Sequence, residues 1–271
     1  MDIDAYLQRI DQRGSVTPSF ECLYALHRAH LLAVPFENLD IHLGRRIALD
    51  EATLFEKVVS QRRGGYCYEL NGLFSGLLSG LGFRVTRLAA DIPAESGGCG
   101  FGFDHLILLV ELDDRWIVDV GFGDSYRAPL NLDARVEQSG VGASRYRITE
   151  HDQRWKFEAA GETGTWSVDY DCDLSPRRLS DFRPACDYYE LNPASGFRRK
   201  RITSRGTETG HVSLTNDRLI ITTDGARREL PLASESDYLR GLKDHFGIVL
   251  EAGKWSIPWQ LLGQSDTPTV V

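Results

Sequence analysis

Apolar residues recur at two different periods along this chain, and the change falls near residue 85. Before that point they recur every three or four residues, which predicts four amphipathic helices. Asp50 should cap the third helix, and Thr17 with Pro18 should begin the second. The fourth helix should begin within a residue or two of Cys67. Its apolar face comprises Leu70, Leu73, Phe74, Leu77, Leu78 and Leu81.

After residue 85 the apolar residues form short runs separated by turn residues, which predicts antiparallel strands. These runs occupy 85–92, 105–112, 116–120, 145–149, 155–160, 166–172, 210–214 and 218–223. A last helix is predicted over 234–246. Because several short antiparallel strands favour a barrel or a curled sheet, we expect an α+β fold in which a helical segment precedes the barrel.

The composition is that of an ordinary soluble globular protein, with 42% hydrophobic and 26% charged residues among 271. A formal net charge of −8 argues against binding to nucleic acid or to an anionic membrane. The five cysteines form no CxxC pair, which favours free thiols in a reducing compartment. The N-terminus lacks a signal-peptide pattern, and the longest uncharged run, 70–83, is too short to cross a bilayer. We therefore expect a cytoplasmic protein.

Cys67 is the first candidate for chemistry. Gly64 and Gly65 precede it and allow a sharp turn into the fourth helix. A thiol at a helix N-terminus faces unpaired N–H groups and the positive end of the dipole, and both favour the thiolate. Buried cysteines often serve only as small hydrophobic residues. The glycine pair and the helix start favour a nucleophile here.

A nucleophilic cysteine needs a base, and the base needs a group that orients it. His105 begins one strand of a predicted hairpin, and Asp119 ends the other, so both lie far from the turn. They share a face of the sheet only if the loop has an odd number of residues or a bulge intervenes. A loop centred on Asp113 would make His105 and Asp119 diagonal neighbours.

These motifs together resemble the arylamine N-acetyltransferase family. The resemblance rests on His105 and on the segments 63–71 (RGGYCYELN), 119–123 (DVGFG), 34–39 (VPFENL) and 6–10 (YLQRI). It is sharpest from residue 1 to about 125. The later segments 180–182 (SDF) and 192–197 (NPASGF) are also similar to the family.

The resemblance implies that Cys67, His105 and Asp119 form a catalytic triad. It implies acetyl-coenzyme A as cosubstrate, no permanently bound cofactor, and an aromatic amine or hydrazine as acceptor. An acetyl-cysteine intermediate would give ping-pong kinetics, and the physiological role would be xenobiotic metabolism. The domain layout of the family agrees with the change in the spacing of apolar residues near residue 85. It implies a helical bundle over 1–85, a β-barrel over 86–191 and an α/β lid over 192–271.

Coenzyme A carries phosphates, and a glycine-rich loop can direct N–H groups at a pyrophosphate. The candidate loop directly precedes His105 and offers Gly98, Gly100, Phe101 and Gly102. Four glycines can equally mark a loop without a ligand. The basic run 198–201 is a second candidate for phosphate contact, but a charge run more often forms a solvated face.

Three further expectations concern side chains around the site. Family likeness suggests that Phe36 and Phe122 line the acceptor pocket, although phenylalanines are usually core residues. Arg9 and Glu37 should form a structural ion pair. Asp104 departs from the family pattern, and as a nearby carboxylate it would raise the pKa of the adjacent histidine.

Three histidines in the first segment, His27, His30 and His42, lack metal-ligand spacing with any cysteine. No metal site is therefore predicted.

Other functions fit the same three residues. A thiol hydrolase or transglutaminase-like enzyme also uses Cys, His and Asp in this order, and an amide synthase acting on a carrier-bound acyl chain would need no coenzyme A. A non-enzymatic interaction module with a vestigial triad is a third possibility. The sequence leaves these alternatives and the oligomeric state open.

Overall fold

A computed structural model describes residues 1–100, 102–123, 126–140, 144–160 and 164–257. The helices are α1 (Ile3–Arg9), α2 (Phe20–Ala33), α3 (Leu39–His42), α4 (Glu51–Phe55), α5 (Cys67–Gly80), α6 (Arg183–Leu191), α7 (Gly196–Arg199) and α8 (Glu235–Phe246). Helix α4 continues into a π-helical turn, Glu56–Ser60, and 3₁₀ turns lie at Ala94–Ser96 and Leu179–Phe182. No described helix is long and apolar enough to cross a membrane.

The helix starts depend on side chains that accept backbone N–H groups. Asp50 caps α4 as predicted, and its Oδ1 lies 3.0 Å from the N of Thr53. The predicted start of α2 at Thr17 is wrong. Ser19 caps that helix instead, because its hydroxyl accepts the N–H of Cys22 at 3.2 Å. Helix α5 begins at Cys67, which confirms the prediction.

The strands are β1 (Phe36–Glu37), β2 (Arg84–Asp91), β3 (His105–Glu111), β4 (Arg115–Val118), β5 (Leu130–Asn131), β6 (Gln138–Ser139), β7 (Arg145–His151), β8 (Arg154–Ala160), β9 (Trp166–Cys172), β10 (Ile202–Gly206), β11 (Gly210–Thr215), β12 (Arg218–Thr223) and β13 (Ala226–Pro231). Every predicted strand is present with its ends shifted by two residues at most.

Eight strands form one antiparallel sheet in the order β5-β4-β3-β2-β9-β8-β7-β6. Its two edges are joined by the side chain of Gln138. The N–H of Asn131 on β5 donates to Gln138 Oε1 at 2.8 Å, and Gln138 Nε2 donates to the carbonyl of Asn131 at 2.9 Å. The carboxamide thus replaces a backbone pair and nearly closes the sheet into a barrel. This confirms the predicted α+β fold with a central antiparallel barrel.

A second sheet has the order β1-β10-β11-β12-β13, and α8 packs against it. Strand β1 comes from the helical first segment, and Phe36 pairs with Ser204 of β10. The last segment is therefore an α/β layer that is hydrogen-bonded to the first. The division of the chain at residues 85 and 191 stays a prediction.

The largest hydrophobic core lies between the helical segment and one face of the barrel sheet. Helix α5 is buried along most of its length, and it contacts β2 and β3. Leu106, Leu108 and Val110 of β3 face this core, while Ile107 and Leu109 face the interior of the barrel. This alternation places the N-terminus of α5 directly beside the first residues of β3.

Candidate active site

The two glycines before Cys67 are required by close packing. A Cβ on Gly64 would lie 1.9 Å from the carbonyl oxygen of Pro35. A Cβ on Gly65 would lie 2.7 Å from Cβ of Glu69. The Glu69 carboxylate returns to the helix start, where its Oε2 accepts the N–H of Tyr66 at 3.1 Å. The turn that delivers Cys67 to the site is therefore fixed on both sides.

The Cys67 sulfur lies beside the backbone that flanks His105. Its Sγ is 4.0 Å from the carbonyl oxygen of Asp104, and the N–H of Leu106 is directed at it. The side chain is only 5% exposed. Strand β3 thus brings the base into the neighbourhood of the nucleophile through the residues on either side of it.

Two opposing effects act on the predicted nucleophile at the start of α5. Burial raises the pKa of the Cys67 thiol well above its ordinary value, although the N–H groups of Leu106 and Tyr68 lower it. Desolvation penalises a thiolate more than these donors stabilise it. Ionising this thiol therefore requires a base beside it.

His105 and Asp119 form a buried hydrogen-bonded pair. His105 Nε2 lies 2.6 Å from Asp119 Oδ2. The hairpin loop has three residues, with Glu111 opposite Arg115 and Leu108 opposite Val118. Asp119 therefore follows the ladder at a position diagonal to His105, which confirms the predicted odd loop. Because Nε2 bonds Asp119, Nδ1 is the ring nitrogen left for the nucleophile.

Asp119 stays ionised because four donors surround its carboxylate. Oδ1 accepts Asn71 Nδ2 at 2.8 Å and the N–H of Gly121 at 2.9 Å. Oδ2 accepts the Tyr170 hydroxyl at 3.3 Å in addition to His105. Burial alone would raise the pKa of Asp119, but His105 and the hydrogen bonds outweigh it and hold that pKa below its usual value.

Three of the residues around Asp119 were missed by sequence reasoning. Asn71 lies one helical turn after Cys67, so its spacing offered a signal. Tyr170 comes from β9, and no local pattern connects it with the site. His27 of α2 lies with Nε2 3.0 Å from the carbonyl oxygen of Asp119. Burial lowers the pKa of His27 to about 4, so its ring is neutral near pH 7.

The glycine-rich segment before His105 makes a turn whose N–H groups are partly used inside the protein. The N–H of Gly98 donates to the carbonyl of Pro93 at 3.3 Å. Gly100 and Gly102 have positive φ angles of 75° and 60°. Phe101 lies outside the described residues. Contact of this segment with coenzyme A stays a prediction.

Only one of the two predicted pocket phenylalanines touches the base. The ring of Phe122 is edge-on to two neighbouring rings, with its centroid 5.0 Å from that of His105 and 5.2 Å from that of Tyr170. Phe36 belongs to the same hydrophobic cluster as Cys67, and its ring lies 6.1 Å from that of Phe197. Their role in binding an acceptor stays a prediction.

The predicted ion pair between Arg9 and Glu37 is wrong. The Arg9 guanidinium instead donates to three backbone carbonyls, those of Ala33, Val58 and Arg63. Glu37 pairs with the Arg63 side chain at 2.7 Å. Arginine offers five N–H donors, so a buried guanidinium can serve carbonyls as well as a carboxylate.

The basic run 198–201 is not a uniformly solvated face. Arg201 is fully buried, with its guanidinium 4.3 Å from the ring of Trp255 and Nη2 2.7 Å from the carbonyl of Ile257. Arg198 Nη1 donates to the carbonyl of Glu190. These contacts are structural. Among the described residues, no group of three or more His, Cys, Asp or Glu side chains is placed to hold a metal ion.

Comparison with known proteins adds sequence evidence. A sequence model of an N-acetyltransferase family matches residues 19–255. The chain is 36% identical over 217 residues to the arylamine N-acetyltransferase / N-hydroxyarylamine O-acetyltransferase of Salmonella typhimurium, covering 79% of this chain and 76% of the relative. It is 34% identical over 265 residues to the arylamine N-acetyltransferase of Mycolicibacterium smegmatis, covering 92% and 93%. Proansamycin X synthase of Amycolatopsis mediterranei is 31% identical and covers 89% and 95%.

Solved structures agree with the sequence comparison. The M. smegmatis arylamine N-acetyltransferase superposes with a TM-score of 0.88 at 31% identity, over 97% of this chain and all of the other. The Mycobacterium marinum enzyme in complex with CoA superposes with a TM-score of 0.83 at 30% identity, over 91% and 93%. Sequence and structure thus agree over nearly the whole chain, and the protein belongs to the arylamine N-acetyltransferase family of acyltransferases.

Proposed function

We propose that this protein transfers the acetyl group of acetyl-coenzyme A to the nitrogen of arylamines or arylhydrazines through an acetyl-Cys67 intermediate. The observation that carries the proposal is the 2.6 Å pair of His105 and Asp119 beside the buried Cys67 sulfur. A buried, oriented imidazole next to a thiol is the arrangement that activates a cysteine nucleophile. The similarity to a family member solved with CoA supports the choice of donor.

In the first half-reaction His105 accepts the Cys67 proton at Nδ1 while Sγ attacks the thioester carbonyl. A bond forms between Sγ and the acetyl carbon, and the bond from that carbon to the coenzyme A sulfur breaks. His105 then returns the proton to the leaving thiolate. One thioester replaces another, so the step is nearly isoenergetic. Asp119 holds the imidazole in place and stabilises the imidazolium, which offsets the cost of ionising a buried thiol.

In the second half-reaction an amine nitrogen attacks acetyl-Cys67. His105 takes a proton from that nitrogen, a contribution typically worth about 10²–10⁴ in rate. Sγ leaves and becomes the thiol again when His105 returns the proton. Arylamines are weak bases and are neutral near pH 7, so they remain nucleophilic where alkylamines are protonated. The edge of Phe122, 5.0 Å from His105, would select an aromatic acceptor over an aliphatic one.

The cellular setting is part of the same proposal. No disulfide joins any of the five cysteines, all of which lie among the described residues, and this suits a reducing compartment such as the cytoplasm. A broad aromatic acceptor range would suit xenobiotic metabolism.

The decisive experiment is mass spectrometry of the protein after mixing with acetyl-coenzyme A and no acceptor. A mass increase of one acetyl group, mapped to Cys67, is expected for the wild type. The Cys67→Ser variant should show no such increase. Initial rates with an arylamine should give parallel double-reciprocal lines. Wild-type protein that stays unmodified by acetyl-coenzyme A contradicts the proposal.

The amide synthase raised by the sequence remains the alternative, and one relative that matches 89% of this chain is a synthase by name, proansamycin X synthase. Such an enzyme would accept a carrier-bound acyl chain and would need no coenzyme A. A thiol hydrolase would instead release the acyl group to water. The lifetime of the acyl-enzyme in buffer without amine separates a transferase from a hydrolase, and a comparison of acetyl-coenzyme A with an acyl carrier thioester separates the transferase from the synthase.

A further inference from the structure

The carboxylate of Asp104 is directed away from His105 and into the glycine-rich turn. Its Oδ1 accepts the N–H of Cys99 at 2.8 Å, the thiol of Cys99 at 2.5 Å and the hydroxyl of Tyr189 at 3.0 Å. Its Oδ2 accepts the N–H of Ile92 at 3.1 Å. The residue is 3% exposed. The expectation that this carboxylate acts on the histidine is therefore replaced by a different role.

The backbone of Asp104 faces the nucleophile. Its carbonyl oxygen accepts the hydroxyl of Tyr68 at 3.0 Å and lies 4.0 Å from Sγ of Cys67. One residue thus contacts the Cys67 environment through its carbonyl and the glycine-rich turn through its carboxylate. Because the side chain is buried and accepts four hydrogen bonds, its position relative to Cys67 is fixed.

The turn over residues 97–100 is built around this carboxylate. Gly97 has a φ of 102°, which favours glycine, and its N–H bonds the carbonyl of Ala94 at 3.1 Å. A Cβ on Gly98 would lie 2.0 Å from the carbonyl oxygen of Ile92 and 2.9 Å from Oδ2 of Asp104. Of the N–H groups in this turn, that of Cys99 meets the carboxylate, whereas those of Gly97 and Gly98 donate to the carbonyls of Ala94 and Pro93.

The carboxylate also joins the turn to the last third of the chain. Tyr189 lies on α6, and its ring packs 5.4 Å from that of Phe197. Asp104 is therefore the point where the turn, strand β3 and helix α6 meet. The turn reaches the surface, since Gly100 is exposed, whereas Cys67 is buried. A coenzyme A thioester is long, so while its acyl group reaches Cys67 the rest of the molecule must lie along surface segments of the protein. A small ester needs to meet only Cys67 and His105.

We propose that Asp104 is a positioning residue for the acyl-donor half-reaction: its buried carboxylate holds the 97–100 turn where a coenzyme A thioester must pass to reach Cys67. The inference rests on the proposed acetyl transfer and deepens it by separating recognition of the donor's body from chemistry at its acyl carbon. Loss of the Asp104 carboxylate should therefore weaken recognition of coenzyme A and leave acyl transfer to Cys67 in place.

The test compares two acetyl donors in single-turnover acetylation of Cys67, acetyl-coenzyme A and the small ester p-nitrophenyl acetate. Asp104→Asn keeps the shape of the side chain but removes the charge and places an NH₂ group near one of the present donors. For Asp104→Asn we expect the second-order rate constant for acetylation of Cys67 by acetyl-coenzyme A to fall about tenfold or more. The acetylation rate with p-nitrophenyl acetate should change by less than about threefold. A purely structural role would not produce this split.

A second variant keeps the proposal testable if Asp104→Asn folds poorly. Tyr189→Phe removes one of the four donors, so it should show the same preference for the small ester with a smaller loss. Asp171→Asn is a matched control, since this partly exposed carboxylate pairs with Arg154 on the barrel surface. The Asp171→Asn variant should be acetylated by both donors at the wild-type rates.

Each outcome decides between the claims. Equal losses with both donors in Asp104→Asn and Tyr189→Phe would show that Asp104 acts through His105 or through general stability, and would overturn the inference. Unchanged rates with both donors would overturn it as well. If neither donor acetylates the wild-type protein, the proposed function itself fails. That result is distinct, because it appears before any substitution is made.

Discussion

Asn71 Nδ2 lies 2.8 Å from Asp119 Oδ1, so the helix that carries the nucleophile is hydrogen-bonded directly to the carboxylate that orients the base. The same amide nitrogen donates to the carbonyl of Leu106 at 2.6 Å. The Asn71 Oδ1 accepts the N–H of Val120 at 2.9 Å. Asn71 thereby joins α5, β3 and the segment after β4. The three candidate catalytic residues lie on these same elements, so Asn71 helps to set their mutual geometry.

Replacing Asn71 by Ala should reduce activity more than stability. The substitution leaves the N–H of Val120 and the carbonyl of Leu106 without a partner and removes one donor from Asp119. We expect kcat/KM to fall by about 10- to 100-fold, in the range typical for residues that orient a catalytic group. Steady-state acetylation of an arylamine measures the change.

Ser75→Ala is the control on the same helix, because Ser75 is equally buried and accepts a hydrogen bond from Arg87 Nε at 2.7 Å. It should lower stability by about 1 kcal/mol and keep kcat/KM within a few-fold of wild type. Similar activity losses in both variants would argue that Asn71 has no special connection with the site.

Gly121 should not tolerate a side chain. A Cβ at this position would lie 2.7 Å from Cα of Cys67 and 2.8 Å from Nδ2 of Asn71. We expect Gly121→Ala to cost about 1–3 kcal/mol in the free energy of unfolding through overpacking. It should also reduce the rate of Cys67 acetylation, because the displaced atoms belong to the nucleophile and its network.

Gly196→Ala provides the comparison, since a Cβ there meets nothing within 4 Å. The Gly196→Ala variant should keep the wild-type free energy of unfolding, measured by urea denaturation, and the wild-type rate of Cys67 acetylation in a single turnover. Equal behaviour of the two alanine variants would contradict the close approach of Gly121 to Cys67.

The parts of the site that the sequence predicted are those with local signals. The start of α5 at Cys67 follows from the glycine pair and the 3.6-residue period, and the meeting of His105 with Asp119 follows from an odd hairpin loop. Both depend on fewer than twenty consecutive residues. Physical rules about period and alternation are sufficient at this distance.

Other features depend on partners far away in the chain. The two-residue strand Phe36–Glu37 has no period of its own and exists because Ser204 and Thr203 pair with it. Tyr170 reaches Asp119 only through the order of the barrel strands, and β9 meets β8 with a register shift at Phe157/Glu158. The rise in the pKa of Cys67 could not be predicted from the helix start, because burial by β3 and the surrounding core outweighs the local donors.

Buried neutral histidines should make the fold sensitive to mild acid. Burial lowers the pKa of His27 to about 4 and that of His42 to about 3, while an unfolded histidine titrates near 6.5. Between these values each of these histidines binds more protons in the unfolded chain than in the folded one, so its contribution to stability is complete above about pH 6.5 and is lost as the pH drops toward its folded pKa. For His27 the difference corresponds to roughly 3 kcal/mol at most.

Urea denaturation between pH 4.5 and 7.5 measures this dependence. His27→Gln should flatten the curve, because glutamine has no proton to gain and can still donate to the carbonyl of Asp119. A His27→Gln variant with the wild-type slope would show that the His27 ring is not held neutral by the fold.

Lys57 should be among the most important single charges for stability. Its Nζ lies 2.7 Å from Asp40 Oδ2 and 2.7 Å from Glu69 Oε1, and its side chain is 11% exposed. Burial raises the pKa of Glu69 to about 7 even with the lysine in place, so the carboxylate depends on that cation. Lys57→Met removes the cation that Asp40 and Glu69 share, so Glu69 either stays as a poorly compensated buried charge or takes up a proton, and we expect a loss of about 3–5 kcal/mol in the free energy of unfolding at a pH above 7.

A double-mutant cycle identifies the cause of that loss. Adding Glu69→Gln to Lys57→Met neutralises one stranded carboxylate and still leaves an oxygen for the N–H of Tyr66, so the double variant should be more stable than Lys57→Met alone. Lys254→Met is the matched control, because its pair with Glu251 is exposed and should contribute no more than about 0.5 kcal/mol. If the double variant is no more stable than Lys57→Met, the loss comes from the packing of the lysine stem against its neighbours and not from the uncompensated charge of Glu69.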